Sequence, residues 1–308
     1  MFTSNTGEAL MRRGGPATDT SAVARRTLLQ GLAATALASA LPRPAIASTR
    51  TGLAFGLTPV FRNSDLDLLD RLRAYLEKAT GLPVELVSRR TYQEITALVV
   101  SGQVDAAWIC GYPFVQYENE LSLVAVPVWR QQPRYQSYLI VDRNRPGSDW
   151  RMLRGDVHAL SDPDSNSGYL VTAALLAEAG ESVGSFFRSS FYTYGHRNVV
   201  RAVASGLAGS GSVDGYVWEV MQELEPELTG QTRVLRASEW LGFPPIASAR
   251  AAADSAATRM LRDALLAMRT DPLGREVLSM LRLDGFAAAE PDLYAGIAGM
   301  VDQLRHAT

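Results

Sequence analysis

Short apolar strands alternate with helix-like segments along this chain, and that alternation constrains the fold more than any other feature. The first half predicts strand, helix, strand, helix, strand and strand at residues 52–57, 66–76, 84–87, 92–100, 104–109 and 121–128. Ser64 is suited to cap the first of these helices. The strands are uninterrupted apolar runs, which is typical of parallel strands buried on both faces. The order therefore predicts an α/β fold, with a mostly parallel sheet flanked by helices.

The same alternation of strands and helices is repeated further along the chain. Strands are predicted at 138–141, 157–160, 191–194 and 213–217, and helices from about Ser167 and over 198–207. Two C-terminal helices are predicted at 255–268 and onward to about residue 281. The repetition predicts two similar α/β lobes, joined by extended crossovers near 131–138 and 240–246.

The N-terminal segment has the three parts of an export signal in order. Arg25 and Arg26 precede an apolar run that ends at Leu41, and residues 45–47 give a small-x-small cleavage site. The run is shorter than the roughly 20 residues needed to cross a bilayer. We therefore predict a twin-arginine-type signal peptide over residues 1–47 and a mature protein in the periplasm that does not span the membrane. The alternative is an amphipathic first helix that carries these arginines by chance.

Composition excludes several classes of function. The 308 residues contain one cysteine and three scattered histidines, so neither a disulfide nor a cysteine- or histidine-rich metal site is expected. The net charge of −2 predicts no nucleic-acid partner. It becomes −5 without residues 1–47, which hold five arginines and two acidic residues. The chain contains no motif of a hydrolase, zinc protease, P-loop or dinucleotide fold, so we predict a non-enzyme without a cofactor.

Small hydroxyl and amide residues lie where one predicted helix begins. Ser165, Asn166 and Ser167 follow an apolar strand and precede an apolar helix. The first N–H groups of a helix have no partner within it and carry the positive end of its dipole. This segment is therefore a candidate receptor for an oxyanion. Simple helix capping is the alternative.

Cys110 and Tyr112 stand at the end of another apolar strand. Ligands of parallel α/β sheets bind at the carboxyl ends of strands, and Gly111 and Pro113 mark the turn there. A buried small hydrophobic residue is the alternative for Cys110. A thiol enzyme that pairs Cys110 with His196 is conceivable, but no motif supports it.

His196, Asp214 and Tyr216 are the remaining candidate ligand-binding residues. His196 follows a predicted strand, and its imidazole is suited to donate to an anion. Asp214 and Tyr216 share one face of the predicted strand 213–217. Asp214 would accept a hydrogen bond from an amine or a protonated oxyanion. The alternatives are a histidine in a capping loop and a structural carboxylate.

The mature chain resembles the PhnD-like periplasmic phosphate, phosphite and phosphonate-binding proteins of ABC importers. The motifs that carry the resemblance are residues 92–95, 102–108, 110–114, 135–140, 162–169, 213–218 and 242–246. The resemblance implies a type II two-lobe clamp that closes over a small oxyanion. It implies that lobe I is formed by 50–134 and 245–308, and lobe II by 135–244. It also places Ser165, Asn166 and Ser167 at the phosphonate group and Cys110 and Tyr112 opposite them, with His196, Asp214 and Tyr216 at further cleft positions.

Two partners follow from this resemblance. An ABC-transporter permease is expected for an importer, and the binding protein itself is expected to be a monomer. Cys110 replaces an aromatic hydroxyl that is familiar in other members, and a thiol suits a soft ligand such as trivalent arsenic. The alternative is therefore a sensor that is similar to arsenite-sensing members of the family and signals to a membrane histidine kinase.

Overall fold

Two β-sheets organise the computed structural model, which describes residues 51–58 and 66–307. The predicted signal peptide and Ser64, the suggested helix cap, lie outside the described residues. The larger sheet has the order β13-β4-β12-β3-β1-β2. Its strands are β1 (Leu53–Leu57), β2 (Val84–Ser88), β3 (Ala106–Trp108), β4 (Leu121–Val128), β12 (Ile246–Ala249) and β13 (Gly285–Ala287). We call the part of the chain built on this sheet lobe I.

The second sheet repeats this arrangement in five strands. Its order is β10-β6-β9-β7-β8. The strands are β6 (Ser137–Asp142), β7 (Val157–Leu160), β8 (Ser189–Tyr192), β9 (Ser210–Asp214) and β10 (Thr232–Ala237). In each sheet three strands run parallel, and an antiparallel strand, β12 or β6, lies beside the third of them. We call the part built on this sheet lobe II.

A short antiparallel ribbon lies where the chain passes between the two sheets. It consists of β5 (Arg134–Tyr135) and β11 (Leu241–Gly242). Both strands fall within the extended crossovers expected near 131–138 and 240–246. The exact lobe boundaries at residues 134–135 and 244–245 stay predictions.

Helices cover the faces of both sheets. Lobe I carries α1 (Leu66–Thr80), α2 (Tyr92–Val100), α3 (Gly111–Gln116), α9 (Ala256–Ala267), α10 (Pro272–Leu281) and α11 (Ala295–Ala307). Lobe II carries α4 (Val171–Glu178), α5 (Val183–Phe186), α6 (His196–Ala204), α7 (Gly215–Leu224) and α8 (Pro226–Thr229). A π-helical turn, Asn166–Leu170, leads into α4. The predicted two-lobe α/β class is confirmed, and no helix of the described residues is long and apolar enough to cross a membrane.

Local chemistry explains where several helices begin. Thr91 accepts a hydrogen bond from the backbone N–H of Glu94, and the Glu94 carboxylate accepts one from Thr91, so α2 starts with a capping box. Asp271 accepts from the N–H groups of Leu273 and Gly274 at the start of α10.

The strand predicted at 213–217 is wrong in its second half. β9 runs from Ser210 to Asp214, and α7 begins at Gly215. The Asp214 carboxylate accepts a hydrogen bond from the Val217 N–H at 3.1 Å, so Asp214 is the N-cap of a helix. Tyr216 therefore lies in the first turn of that helix and does not share a strand face with Asp214.

Aromatic side chains link the two lobes beside the ribbon. The Tyr135 and Phe243 rings are 5.5 Å apart, and the Phe243 and Tyr216 rings 5.2 Å. All three side chains are buried. Tyr135 lies in the ribbon, Phe243 follows it and Tyr216 belongs to lobe II, and the Tyr216 ring also packs 5.8 Å from that of Trp129 in lobe I, so the rings connect the two lobes.

Candidate functional site

Lobe I contributes Cys110 at the end of β3. Cys110 is the N-cap of α3, but its side chain makes no capping hydrogen bond. The residue is 4% exposed, and burial raises the pKa of its thiol to about 12, so the sulfur is protonated at neutral pH. Tyr112, two residues later, is half-buried, and burial raises the pKa of its phenol.

Lobe II contributes the turn that contains Ser165, Asn166 and Ser167. Ser165 is its N-cap and accepts a hydrogen bond from the Gly168 N–H at 3.0 Å. A Cβ at Gly168 would lie 1.8 Å from the Ser161 hydroxyl oxygen, so only glycine fits there. The three predicted residues are all buried, and the hydroxyl of Ser165 is already used in shaping the turn.

The two lobes meet at Cys110 and Asn166. The Asn166 backbone N–H donates to the Cys110 sulfur at 3.1 Å. The Asn166 side-chain amide donates to the Tyr135 hydroxyl at 2.8 Å. The helix start that was predicted to receive an anion thus faces the strand end that was predicted to lie opposite it.

His196 is held as a neutral imidazole between the lobes. Its Nδ1 accepts from the Asp214 backbone N–H at 3.1 Å, so the ring proton is on Nε2, which lies 3.2 Å from the Tyr92 hydroxyl. Burial lowers the pKa of His196 to about 3, in agreement with this tautomer. The Tyr92 hydroxyl oxygen accepts the hydrogen bond from Nε2–H and keeps its own O–H to donate.

Two buried carboxyl groups belong to the same cluster. Burial raises the pKa of Asp214 to about 7, although the Val217 N–H opposes that shift. Burial also raises the pKa of Asp162, while hydrogen bonds from the Asp164 and Tyr92 N–H groups oppose it. The hydrogen bonds described for these carboxyls come from backbone N–H groups, not from arginine or lysine. The cluster is therefore a neutral-to-acidic environment that offers hydrogen bonds rather than positive charge.

Several polar atoms of this cluster are buried without a hydrogen-bond partner. They include Asn166 Oδ1 and Ser167 Oγ at the start of the π-helical turn, and Ser161 Oγ, which follows β7 and lies beside Gly168 of that turn. A buried polar group without a partner costs about 1–3 kcal/mol. Three such atoms in and beside one turn make this surface a candidate for binding a ligand.

Tyr216 lies apart from this group. Its hydroxyl donates to the Leu281 carbonyl oxygen of lobe I at 2.5 Å, and its ring contacts Trp129 and Phe243. The hydroxyl of this candidate ligand-binding residue is thus already used in a contact between the lobes.

Sequence reasoning missed Tyr92, Tyr135 and Asp162. Tyr92 begins α2, and its sequence context predicts a core residue. No neighbouring residue in the sequence indicates a contact with His196, which is 104 positions away. Asp162 stands inside the polar segment that predicted the anion site. Among the described residues there is no group of three or more histidine, cysteine or carboxylate side chains suited to hold a metal ion.

Comparisons with known proteins identify the family and the fold. Residues 55–294 match the family described as the periplasmic substrate-binding protein of phosphonate ABC transporters. A phosphonate-transporter binding protein from Pseudomonas aeruginosa is 19% identical, with a TM-score of 0.74 over 82% of this chain and 86% of that one. PhnD1 from Prochlorococcus marinus, solved in complex with methylphosphonate, is 18% identical, with a TM-score of 0.74 over 83% and 98%.

A more distant likeness connects the chain to a sulfonate binder. The aliphatic sulphonate-binding protein SsuA from Escherichia coli is 16% identical, with a TM-score of 0.51 over 82% of each chain. Identities this low show a shared fold only. The alternative of an arsenite sensor gains no support from these matches. Since the family match spans most of the chain, this protein belongs to the periplasmic substrate-binding proteins of phosphonate ABC transporters.

Proposed function

We propose that the protein captures a small phosphonate of the methylphosphonate type between its lobes and delivers it to an ABC importer. The unpartnered Ser167 Oγ, a hydroxyl buried at a helix start, carries this proposal. The methylphosphonate complex of the similarly folded PhnD1 supports the ligand class.

The headgroup is held by neutral hydrogen-bonding groups. The Ser167, Tyr92 and Tyr135 hydroxyls have protons to donate, and the Ser167 N–H adds its dipole, whereas the Asn166 and Gly168 N–H groups already donate to Cys110 and Ser165. Cys110 and Tyr112 contact the headgroup from lobe I. Ser165 maintains the conformation of the turn. The site residues proposed from the sequence remain part of this proposal, except that Tyr216 is assigned to the contact with Leu281.

The buried carboxyl of Asp214 favours one protonation state of the ligand. A dianion beside this group would meet an uncompensated negative charge in a desolvated site. A phosphonate monoanion retains one P–OH group, which donates to the carboxylate. The ligand therefore binds as the monoanion, with His196 neutral beside it.

The decisive test is a thermal-shift titration of the mature protein with methylphosphonate. Ligand that binds only the folded state raises the melting temperature. The variant Ser167→Ala removes an unpartnered hydroxyl, so we expect unchanged or higher stability without ligand and a smaller shift with it. Ser248→Ala is the matched control, because Ser248 Oγ is equally buried and unpartnered in β12 of lobe I. No shift in the wild type, or equal losses in both variants, would overturn the proposal.

Export through the twin-arginine route and the monomeric state belong to the same proposal. Adjacent Arg25 and Arg26 before the apolar run support the route. Replacing both arginines with lysine should leave the full-length precursor in the cytoplasm. Cell fractionation followed by mass spectrometry of the N-terminus measures this, and processing as in the wild type would contradict it. Light scattering of the purified protein measures its molar mass, which should be that of a monomer.

A further inference from the structure

A second polar contact joins the lobes along helix α7. Glu219 accepts a hydrogen bond from Arg130 at 2.9 Å, and Glu223 accepts one from Arg282 at 2.8 Å. The Tyr216 hydroxyl reaches the Leu281 carbonyl from the same helix. These three residues are spaced as one helix face, and all three partners belong to lobe I. We call this set of six residues the α7 clasp.

Both arginines of the clasp adopt a backbone conformation that side chains usually avoid. Arg130 has a φ of 50° and Gln131 one of 64°, within a turn closed by hydrogen bonds between Trp129 and Gln132. Arg282 has a φ of 57° at the end of α10. The turn at 130–131 fixes the direction of the Arg130 side chain, and a left-handed residue such as Arg282 commonly ends a helix.

Further contacts fix the Arg130 side chain in its pairing position. Its guanidinium lies 4.5 Å from the centre of the Trp129 ring. The other carboxylate oxygen of Glu219 accepts from the Tyr138 hydroxyl at 2.9 Å. The pair is therefore oriented on both sides, which lowers the entropy lost when it forms.

Helix α7 connects the clasp with the ligand site. Its N-cap is Asp214, whose backbone N–H holds His196 in the cluster. The ten-residue helix is thus fixed at its start to the site and along its side to lobe I. A change of the angle between the lobes therefore acts on the side contacts with lobe I, whereas the contact of Asp214 with His196 lies within lobe II.

We propose that the α7 clasp sets the balance between open and closed lobes, and that Arg130 and Arg282 are positioning residues for ligand binding. The clasp exists in the arrangement in which the Asn166 N–H reaches the Cys110 sulfur, so it favours the closed form. Stabilising that form raises ligand affinity, because only the closed lobes bring both halves of the site together. The effect on affinity rests on the proposed function, whereas the effect on closure does not.

Cys110 provides a reporter of closure that needs no ligand. It is the single cysteine, it is 4% exposed, and its sulfur lies at the lobe contact. Its alkylation by iodoacetamide therefore measures how often the ligand-free cleft opens. The double variant Glu219→Gln and Glu223→Gln removes both charges and preserves the shape of the side chains. We expect alkylation about three to ten times faster in this variant, given what two partly exposed ion pairs contribute.

Two comparisons distinguish loss of the α7 clasp from a general loss of stability. Added salt should speed Cys110 alkylation in the wild type and leave the double variant unchanged. Glu181→Gln is the matched control, because Glu181 pairs with Arg154 at 2.5 Å within lobe II. The control should alkylate at the wild-type rate. The urea concentration at the midpoint of unfolding, measured for all three proteins, should not correlate with the alkylation rates.

The affinity for methylphosphonate completes the test. We expect the dissociation constant of the double variant to rise by a smaller factor than the alkylation rate, because alkylation follows the open fraction whereas the apparent dissociation constant varies inversely with the closed fraction. Equal alkylation rates in wild type and double variant would overturn the clasp, and so would a slower rate in the variant. If methylphosphonate fails to bind the wild type while the alkylation rates differ as expected, the proposed ligand is wrong and the clasp stands.

Discussion

Cys110 and Asp214 occupy equivalent places in the two lobes. Each stands at the end of the third parallel strand of its sheet, β3 or β9, and each is the N-cap of the helix that follows. Both are buried, with 4% and 3% of their surface exposed. The Asp214 carboxylate accepts from the Val217 N–H of its own helix, whereas the Cys110 sulfur accepts from Asn166 of the other lobe.

The difference follows from the residues that come next. A cap side chain accepts from the second or third N–H of its helix, and in α3 the third position is Pro113, which has none. Only the Tyr112 N–H remains near the sulfur, and thiols are weak acceptors. The same place in the fold therefore stabilises a helix in lobe II and forms a contact between the lobes in lobe I.

The largest effect is expected when the two caps are made chemically alike. Cys110→Asp would bury a second carboxylate close to Asp214 and Asp162, where the Asn166 N–H alone cannot compensate its charge. We expect the free energy of unfolding to fall by about 3–5 kcal/mol at neutral pH. Urea unfolding followed by circular dichroism measures this loss.

The pH dependence and a neutral isostere distinguish charge from shape. Protonation of the new carboxyl should recover part of the loss near pH 4. Cys110→Asn has nearly the same shape without the charge, so its cost should be smaller and independent of pH. Equal costs for both substitutions would show that packing, and not charge, separates the two caps.

The next effect concerns the titration of Asp214. Burial raises its pKa in the folded protein to about 7, above the ordinary value of 3.8. The stability that it contributes is therefore complete below about pH 4 and is lost as the pH rises through 7. Relative to Asp214→Asn, the wild type should lose about 4 kcal/mol between these limits.

The measurement is the difference in unfolding free energy between wild type and Asp214→Asn across this pH range. Asparagine also caps helices well, so the helix start is preserved. Burial lowers the pKa of His158 and of His196 to about 3, and both histidines are present in both proteins, so their titration cancels in the difference. A difference that does not change with pH would mean that the Asp214 carboxyl keeps an ordinary pKa.

The substitution Asp214→Asn also tests whether Asp214 contacts the ligand in addition to capping α7. The wild type should prefer methylphosphonate over methanesulfonate, since only the phosphonate monoanion has a proton to donate to the carboxylate. The amide of Asp214→Asn donates to a sulfonate oxygen instead. We expect the ratio of the two dissociation constants to shift about tenfold toward methanesulfonate. Isothermal titration calorimetry measures both ligands, and an unchanged ratio would leave Asp214 as a cap alone.

The sequence predicted most of the lobe architecture, for identifiable physical reasons. Strands 121–128 and 157–160 are apolar runs bounded by polar or turn-forming residues, and the structure has both with the predicted bounds. The strand predicted at 213–217 was half wrong because Val217 and Trp218 continue the apolar pattern after Asp214. Whether Asp214 caps a helix or continues a strand is decided by its hydrogen bond to the Val217 N–H.

The candidate site was predictable only where its chemistry is local. Ser165, Asn166 and Ser167 form one polar segment between a strand and a helix, so composition alone pointed to them. Tyr92 acts through His196 of the other lobe, and no pattern within one segment reports such a contact. The strained Arg130 likewise has its partner, Glu219, 89 positions away.

The smallest effect tests why Cys110 does not cap its own helix. Serine is a strong cap residue, yet Cys110→Ser alone should change stability by less than about 1 kcal/mol, because Pro113 offers no N–H. Pro113→Ala restores that N–H. In its background, Cys110→Ser should therefore be more favourable by about 1 kcal/mol than in the wild type.

A double-mutant cycle from urea unfolding gives this coupling energy. The serine hydroxyl, once it turns back to α3, no longer reaches the Asn166 N–H, so the double variant should also bind methylphosphonate more weakly than Pro113→Ala alone. A coupling energy near zero would show that Pro113 does not control the cap. In that case the sulfur atom itself would determine whether Cys110 caps α3 or contacts the other lobe. Its larger radius and weak acceptor strength suit the contact between lobes better than a helix start.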